Sequence, residues 1–546
     1  MRQIDVIKLY AQMRCLVVED MPDVRVAVAA MLRIFGATKI DVVANGEQAI
    51  EACNSAQYHM VLCDYNLGSG SDGQQILEEL RFRNRLKNTS IFVMITAESS
   101  SEMVLGALEY QPDDYITKPI TQALLRQRLD RVLLRHQDLY SIKQAMDERD
   151  YATAEKRCQE RLDDNTSYRS ACLQIQAEMN LRLLNFNRAE EIYTGVLNER
   201  PVLWAKLGLG KTQVAKKEYE KAEKNLIEVI TADKRVVEAH DLLADSYNKR
   251  GDTIKAQKAM QDAVDIAPKS IFRLRRLAAV AKLNDDTEAC LGATRLVIKT
   301  ARNSYHESAE DYFKLARELN DLTTEQGTMT NALAKETFEV LQRLEKRPCY
   351  DAGAKVQANS LKSRSLVNQN KLAEAEIYLD KAKEIYEDKK DLLSPEAGLE
   401  IAQTLIAKGD KDGANKLLQE LVEKFSGDEL FVTKVDALTD TPISQAGCEK
   451  VAKITKSGID SYDKKKFTEA IGIFKNAISI FPSHIGLNLN LIQAVISEIK
   501  ENGSQPGFEK ICRKSLERIS TIEVTNPQYD RYKYLLNQVD AVAFNS

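Results

Sequence analysis

The chain has one tryptophan, 11 prolines and 23 glycines in 546 residues, too few turn formers for a loop-rich or collagen-like protein. Its nine cysteines (15, 53, 63, 158, 172, 290, 349, 448 and 512) never fall as C-x-x-C, and its five histidines are isolated. Scattered thiols of this kind argue against a disulfide framework and against structural zinc, and point to a reducing compartment. No run approaches the ~18 apolar residues of a bilayer span, and Met1-Arg-Gln-Ile-Asp5 has no apolar leader. A cytoplasmic protein with no membrane insertion is expected. Charge of one sign is also missing, since 77 Lys/Arg stand against 81 Asp/Glu for a net charge of -4. The first 135 residues hold 15 basic and 17 acidic side chains, so no basic domain hides behind an acidic one. Nucleic-acid coating is thereby disfavoured.

What is present falls into two kinds of text. Residues 14–119 alternate short apolar runs with amphipathic stretches. The runs are 14–18, 39–43, 59–63, 91–95 and 114–117, and the stretches lie near 22–34, 45–55, 73–83 and 100–109, with a last one from Ile120. This alternation specifies an α/β doubly wound (βα)5 domain with a parallel sheet, whose ligands sit beyond the C-terminal strand ends.

After Ile120 the pattern is helical and repetitive. Ala154, Ala189, Ala222, Ala256 and Ala289 recur at spacings of 35, 33, 34 and 33. Tyr247, Gly251, Ala256, Met260, Ala263 and Pro268 spell out one unit in full, and Phe467, Ala470, Phe474, Ala477 and Pro482 repeat it. A period of ~34 residues with small residues at helix crossings resembles the tetratricopeptide repeat (TPR), a solenoid of antiparallel helix pairs. The expected division is 1–136 for the α/β domain, 137–300 for repeats and 301–350 for degenerate or extended repeats. Residues 351–546 then form further repeats with C-terminal capping helices, 508–522 and 531–543. Between Ile120 and Thr194 there is no Gly or Pro, so the helix from Ile120 is expected to dock on, or run into, the first repeat.

The chemistry gathers at one strand edge. Glu19 and Asp20 follow the first strand, Asp64 the third, Thr96 the fourth and Lys118-Pro119 the fifth. Three carboxylates brought together repel, and a hard divalent cation with oxygen ligands, Mg2+, resolves the conflict. A hydroxyl and an ammonium beside them suit a phosphoryl group.

On Leu16-Val-Val-Glu-Asp20, Val61-Leu-Cys-Asp-Tyr65, Met94-Ile-Thr-Ala97 and Asp114-Tyr-Ile-Thr-Lys-Pro119 the chain resembles the receiver domain of two-component response regulators. The resemblance covers about residues 12–135. It implies that Asp64 is the phosphoacceptor and that Glu19, Asp20, Asp64 and the backbone carbonyl of Asn66 hold Mg2+. It makes Thr96 and Tyr115 switch residues and places Lys118 on the phosphoryl group. The chain departs from the family at Gly68, where Pro is usual, in a loop one residue longer before Asp72-Gly73, and at Gln111-Pro112. Gly68-Ser-Gly-Ser-Asp-Gly73 has the form of a dinucleotide fingerprint, but no acidic residue stands at the next strand's end. The basic run Arg81–Lys87 reads as a solvated helix end.

The expected function is that of a response regulator, phosphorylated by a sensor histidine kinase or phosphotransfer protein. Its repeats would bind a protein ligand in their groove under phosphate control. The alternative is a phosphorelay modulator that inhibits or competes for transfer to another regulator. No enzyme output is expected beyond the receiver's own phosphoryl gain and loss, because no catalytic cluster follows residue 140.

Overall fold

The computed structural model describes residues 6–68, 70–97, 112–164, 166–304, 306–325, 331–505, 507–520 and 522–541. The chain divides into two compact units, Met1–Asp311 and Tyr312–Ser546.

The first unit opens with α1 (Val6–Gln12), a helix that carries no cue in the alternating pattern. It is held by Tyr10, whose ring is buried and whose hydroxyl donates to Asp130 Oδ1 at 2.9 Å. There follow β1 (Arg14–Val18), α2 (Pro22–Phe35), β2 (Lys39–Val43), α3 (Gly46–Ser55), β3 (Met60–Asp64), α4 (Gly73–Phe82), β4 (Ile91–Thr96), β5 (Asp114–Thr117) and α5 (Gln122–Asp147). The strands are all parallel in the order β2-β1-β3-β4-β5. The order reverses at β1, which puts the crevice of a doubly wound sheet beyond β1 and β3. Strand alternation divides the core. Cys15 and Val17 pack with Leu32, Phe35, Leu125 and Leu129 on one face, and Leu16 and Val18 with Ile76, Leu80 and Phe92 on the other. The helix expected at 100–109 lies outside the described residues.

α5 is one uninterrupted 26-residue helix, so the division expected at 136–137 falls inside it. Its first half covers the sheet through Leu125, Leu129, Val132 and Leu133. Its last turns pack Leu139, Ile142 and Ala145 against Ala154, Cys158 and Cys172. The same helix therefore closes the sheet domain and opens the first helix pair.

The remaining helices of this unit are α6 (Tyr151–Asp163), α7 (Arg169–Arg182), α8 (Phe186–Glu199), α9 (Leu203–Ala215), α10 (Tyr219–Ala232), α11 (Val237–Lys249), α12 (Thr253–Ile266), α13 (Ile271–Leu283) and α14 (Thr287–Ala301). Ala154, Ala189, Ala222 and Ala256 each stand fourth in the second helix of a pair and are fully buried, which lets the backbones approach. The fifth expected position, Ala289, is corrected by one. The fourth residue of α14 is the buried Cys290, whereas Ala289 is only partly covered and its N–H is capped by Asp286. A thiol of about alanine's bulk serves the crossing, and the last spacing becomes 34.

Helix pairs continue through the second unit, which the division enters inside helix Ala309–Glu325. Here Ala334, Ala375, Ala414 and Ala470 hold the same fourth position, at the longer spacings of 41, 39 and 56. The last two helices are Phe508–Arg518 and Tyr529–Ala541.

Candidate functional site

Parallel pairing carries the ends of β1, β3, β4 and β5 to one edge. There the ladder continues past the strands, with Tyr65 N donating to Ile95 O at 2.7 Å and Lys118 N to Thr96 O at 2.8 Å. These bonds fix the chain on either side of the reactive groups. Glu19 is 1 % exposed, Asp64 and Thr96 are each 5 % exposed, and Asp20 faces solvent.

One oxygen from each of Glu19, Asp20 and Asp64 can be chosen so that all three lie within 4.8 Å of one another. Lys118 Nζ bridges two of these groups, 2.9 Å from Glu19 Oε2 and 3.0 Å from Asp64 Oδ2. Burial raises the pKa of both Glu19 and Asp64 against the pull of Lys118. Burial likewise opposes the Lys118 charge, but its hydrogen bonds to the two carboxylates outweigh it and its pKa is raised. One ammonium cannot balance three carboxylates, so the cluster is short of positive charge by about the amount one divalent cation carries. The donor set, all oxygen and mostly anionic, suits Mg2+.

The loop after Asp64 is built around its glycines. Gly68 has φ +74° and lies beside Asp20, where an added Cβ would sit 3.6 Å from Oδ2. A proline ring fixes φ near -65°, so the family's usual proline could not take this conformation. Asp72 and Gln75 form a reciprocal capping box that starts α4. Gly73 N donates to Tyr65 O at 2.9 Å, and a Cβ at Gly73 would meet Asp64 O at 2.4 Å. The helix start is thus pressed directly onto the backbone of Asp64. Asn66 is exposed in the same loop, directly after Tyr65.

Tyr115 packs on the α3/α4 side of the sheet. Its hydroxyl is buried with no hydrogen-bond partner among the described residues, and burial raises its pKa. The strand edge therefore brings together Glu19, Asp20, Asp64, Thr96 and Lys118, with Tyr115 two residues along β5 from Thr117.

A second set of contacts carries no sequence signal. The loop and α4 are covered by the repeats of the same unit. Ser71 Oγ donates to Asn303 O at 2.9 Å and Gln75 Nε2 to Thr300 O at 3.3 Å. Lys269 Nζ lies 3.2 Å from the Tyr65 hydroxyl and 5.4 Å from its ring centroid. The α4 side chains Gln74, Glu78 and Glu79 are buried; His306, just past α14, lies 3.9 Å from Glu78, and Phe82 and Phe272 both meet the His306 ring edge-on.

The family profile described as response regulator receiver domain matches residues 15–130, and two tetratricopeptide repeat profiles match 237–270 and 396–428. The chemotaxis protein CheY-3 of Vibrio cholerae is 30 % identical over 127 residues, 23 % of this chain and 96 % of the relative. Among solved structures, the receiver domain of a Pseudomonas aeruginosa sensor histidine kinase is 29 % identical, with a TM-score of 0.20. The match covers 22 % of this chain and 97 % of that one, which has magnesium coordinated in its active-site cleft. MamA from Desulfovibrio magneticus RS-1 is 23 % identical, covering 30 % of this chain and 91 % of its own, with a TM-score of 0.26. The fold of residues 15–130 is that of a receiver domain. The chain belongs to the response regulator family of two-component signalling, with its receiver fused to tetratricopeptide repeats.

Proposed function

We propose that Asp64 accepts a phosphoryl group from a partner histidine kinase or phosphotransfer protein, and that phosphate on Asp64 controls binding of a protein ligand by the repeats. The observation that carries this reading is Lys118 Nζ held between Glu19 and Asp64 beside the buried Thr96. An Asp64 carboxylate oxygen attacks phosphorus in line while the bond from phosphorus to the donor nitrogen breaks. Lys118 pairs with one phosphoryl oxygen and the Thr96 hydroxyl donates to another. Glu19, Asp20, Asp64 and the Asn66 carbonyl hold Mg2+, which when bound supplies charge that offsets the phosphoryl oxygens. Thr96 and Tyr115 report the phosphate to the rest of the domain.

Two routes lead from this edge to the repeats of the first unit. One is α5, which serves both sheet and first repeat. The other is the loop after Asp64, tied to Thr300 and Asn303. In this reading the receiver spans 1–136, and the repeats with their C-terminal caps are the output.

Incubation with a small phosphodonor and Mg2+ should add one acid-stable, base-labile phosphoryl group, and Asp64→Ala should abolish it. Labelling of the Asp64→Ala protein equal to wild type would refute the assignment. A Gly/Ser segment inserted after Arg135 should leave labelling intact and erase the phosphate effect on partner binding. To separate output from phosphorelay modulation, transfer from kinase to a second regulator is followed with Asp64→Ala present. Slowed transfer favours inhibition by the repeats.

A further inference from the structure

The basic run that begins at Arg81 does not lie open to water along its whole length. It forms one wall of a cavity of about 530 Å3, whose other walls are the end of α5, the start of α6 and the end of α7. Four cations line it from three separate stretches of chain: Arg81 and Lys87, then Arg149, then Arg182. The carboxylate in the described lining, Asp147, has both oxygens engaged by neutral donors and keeps its charge, which together with that of Asp113 supports the Arg81 cation. Asp147 Oδ1 accepts from Asn88 N and Nδ2 at 2.6 and 2.8 Å, and its Oδ2 from Thr89 N and Oγ1 at 3.0 and 2.7 Å. Arg81, Lys87 and Arg149 have no ion-pair partner among the described residues. Arg81 spends one nitrogen on the carbonyls of Leu86 and Lys87, and burial depresses its pKa against the opposing pull of Asp113 and Asp147. Arg81 is half-buried, while Lys87, Arg149 and Arg182 are exposed, Arg182 also lying 3.6 Å from Glu178, so the four cations outnumber the carboxylate of the lining and face a space open to an entering anion.

The chemistry of the walls defines the anion. Arginine forks match phosphate oxygens in pairs, and several cations together call for more than one phosphate. The Arg182 guanidinium lies 5.4 Å from the Tyr151 ring centroid, which makes a flat platform at one side. The volume falls within the roughly 300–1,000 Å3 usual for small-molecule sites. We propose that this cavity binds a small anion carrying a diphosphate group, and that the bound anion ties the receiver loop at 84–88 to the first repeats. The site is separate from the carboxylates around Asp64, so it does not depend on the phosphoacceptor reading.

Calorimetry on the full chain in EDTA, with inorganic pyrophosphate and with ADP, tests this. Wild type and Asp64→Ala should bind equally, at one site. Arg149→Gln and Lys87→Gln, both exposed and so neutral for folding, should each weaken binding about tenfold, the loss expected for one charge-assisted contact. Arg81→Gln should weaken it further, with circular dichroism checking that the variant folds. ADP binding tighter than pyrophosphate places a base on the Tyr151 platform, and equal affinities assign recognition to the diphosphate alone. No binding of either probe at about 1 mM, a range that covers weak metabolite sites, overturns the proposal. So does binding that survives in both Arg149→Gln and Lys87→Gln, or that is lost in Asp64→Ala.

Discussion

In the sheet domain Gly73 is closed in by its neighbours, with Asp64 O, Met94 Sδ and Tyr65 Cα all within 3.0 Å of where a Cβ would lie. In the repeats Gly251 faces open space and is constrained only by its backbone, at φ +83°. The first glycine answers to contacts made nowhere else in the chain. The second answers to a turn that recurs: Arg149, Leu184, Lys217, Asp285, Asn370, Gly409 and Lys465 share its positive φ, each two residues before the second helix of a pair. At Gly73 position is set by packing, and at the array's turns by a repeated backbone geometry that many side chains tolerate, whereas glycines inside the array's helices, such as Gly208 and Gly458, are again closed in, here by the Tyr193 and Phe474 rings. Substitutions at the two kinds of position should therefore differ in size and in kind.

The largest effect is expected at Gly73→Ala, where the obstacle is backbone and cannot swing away. About 4 kcal/mol or more of stability should be lost, with Asp64 labelling falling too. Calorimetric unfolding read alongside phosphodonor labelling checks it, and a near-wild-type result would remove the contrast with the array. Next is Arg317→Met in the second unit. Arg317 Nε donates to Glu400 Oε2 at 2.8 Å, and Glu400 is 2 % exposed, so the change takes a cation from a buried carboxylate at a cost of about 4 kcal/mol. Adding Glu400→Gln should recover much of that loss in urea unfolding.

A pH test comes third. His136 sits where α5 passes from sheet to repeat. Burial, and then Lys143 at 3.4 Å, push its pKa down to about 4. The folded state prefers the neutral ring, so this contribution is complete above the ordinary value near 6.5 and is lost as pH falls toward 4. Up to about 3 kcal/mol is at stake. A His136→Gln variant should show a shallower loss of melting temperature across that window. The smallest effects belong to the turns. Gly251→Ala should cost about 1 kcal/mol with no contact disturbed. Leu184→Gly should gain up to about 1 kcal/mol, because Leu184 is 71 % exposed at φ +61° and burial has little to lose.

Legibility in the sequence follows the same contrast. Strands β1, β2 and β5 fall on the runs read from apolar alternation, and β3 and β4 differ by a residue at their ends, because pairing rather than hydropathy sets where a ladder stops. The placing of Glu19, Asp20, Asp64, Thr96 and Lys118 at one edge was legible because each ends a strand or lies within two residues of its end, and parallel strands deliver their ends together. Nothing local announces the burial of Gln74, Glu78 and Glu79 on α4, since the residues that meet this helix, Thr300 and His306, lie some two hundred positions on. The αL turns at Leu184, Lys217 and Lys465 were equally silent, for none carries the Gly or Asn that normally marks such a turn. Ala289 misled by one residue because two small side chains, Ala289 and Cys290, stand side by side.

The bonds from Ser71 to Asn303 and from Gln75 to Thr300 join parts of a single chain, and that changes what a visitor to Asp64 must overcome. A contact within one chain keeps its strength however dilute the protein, because its two sides never separate by diffusion. Any outside protein seeking the loop at 71–75 competes with that standing contact. Its apparent affinity falls by the fraction of time the loop is already taken. The covalent chain that joins the sheet domain to the repeats of its unit thus gives the loop at 71–75 a standing partner that any outside protein docking there must displace.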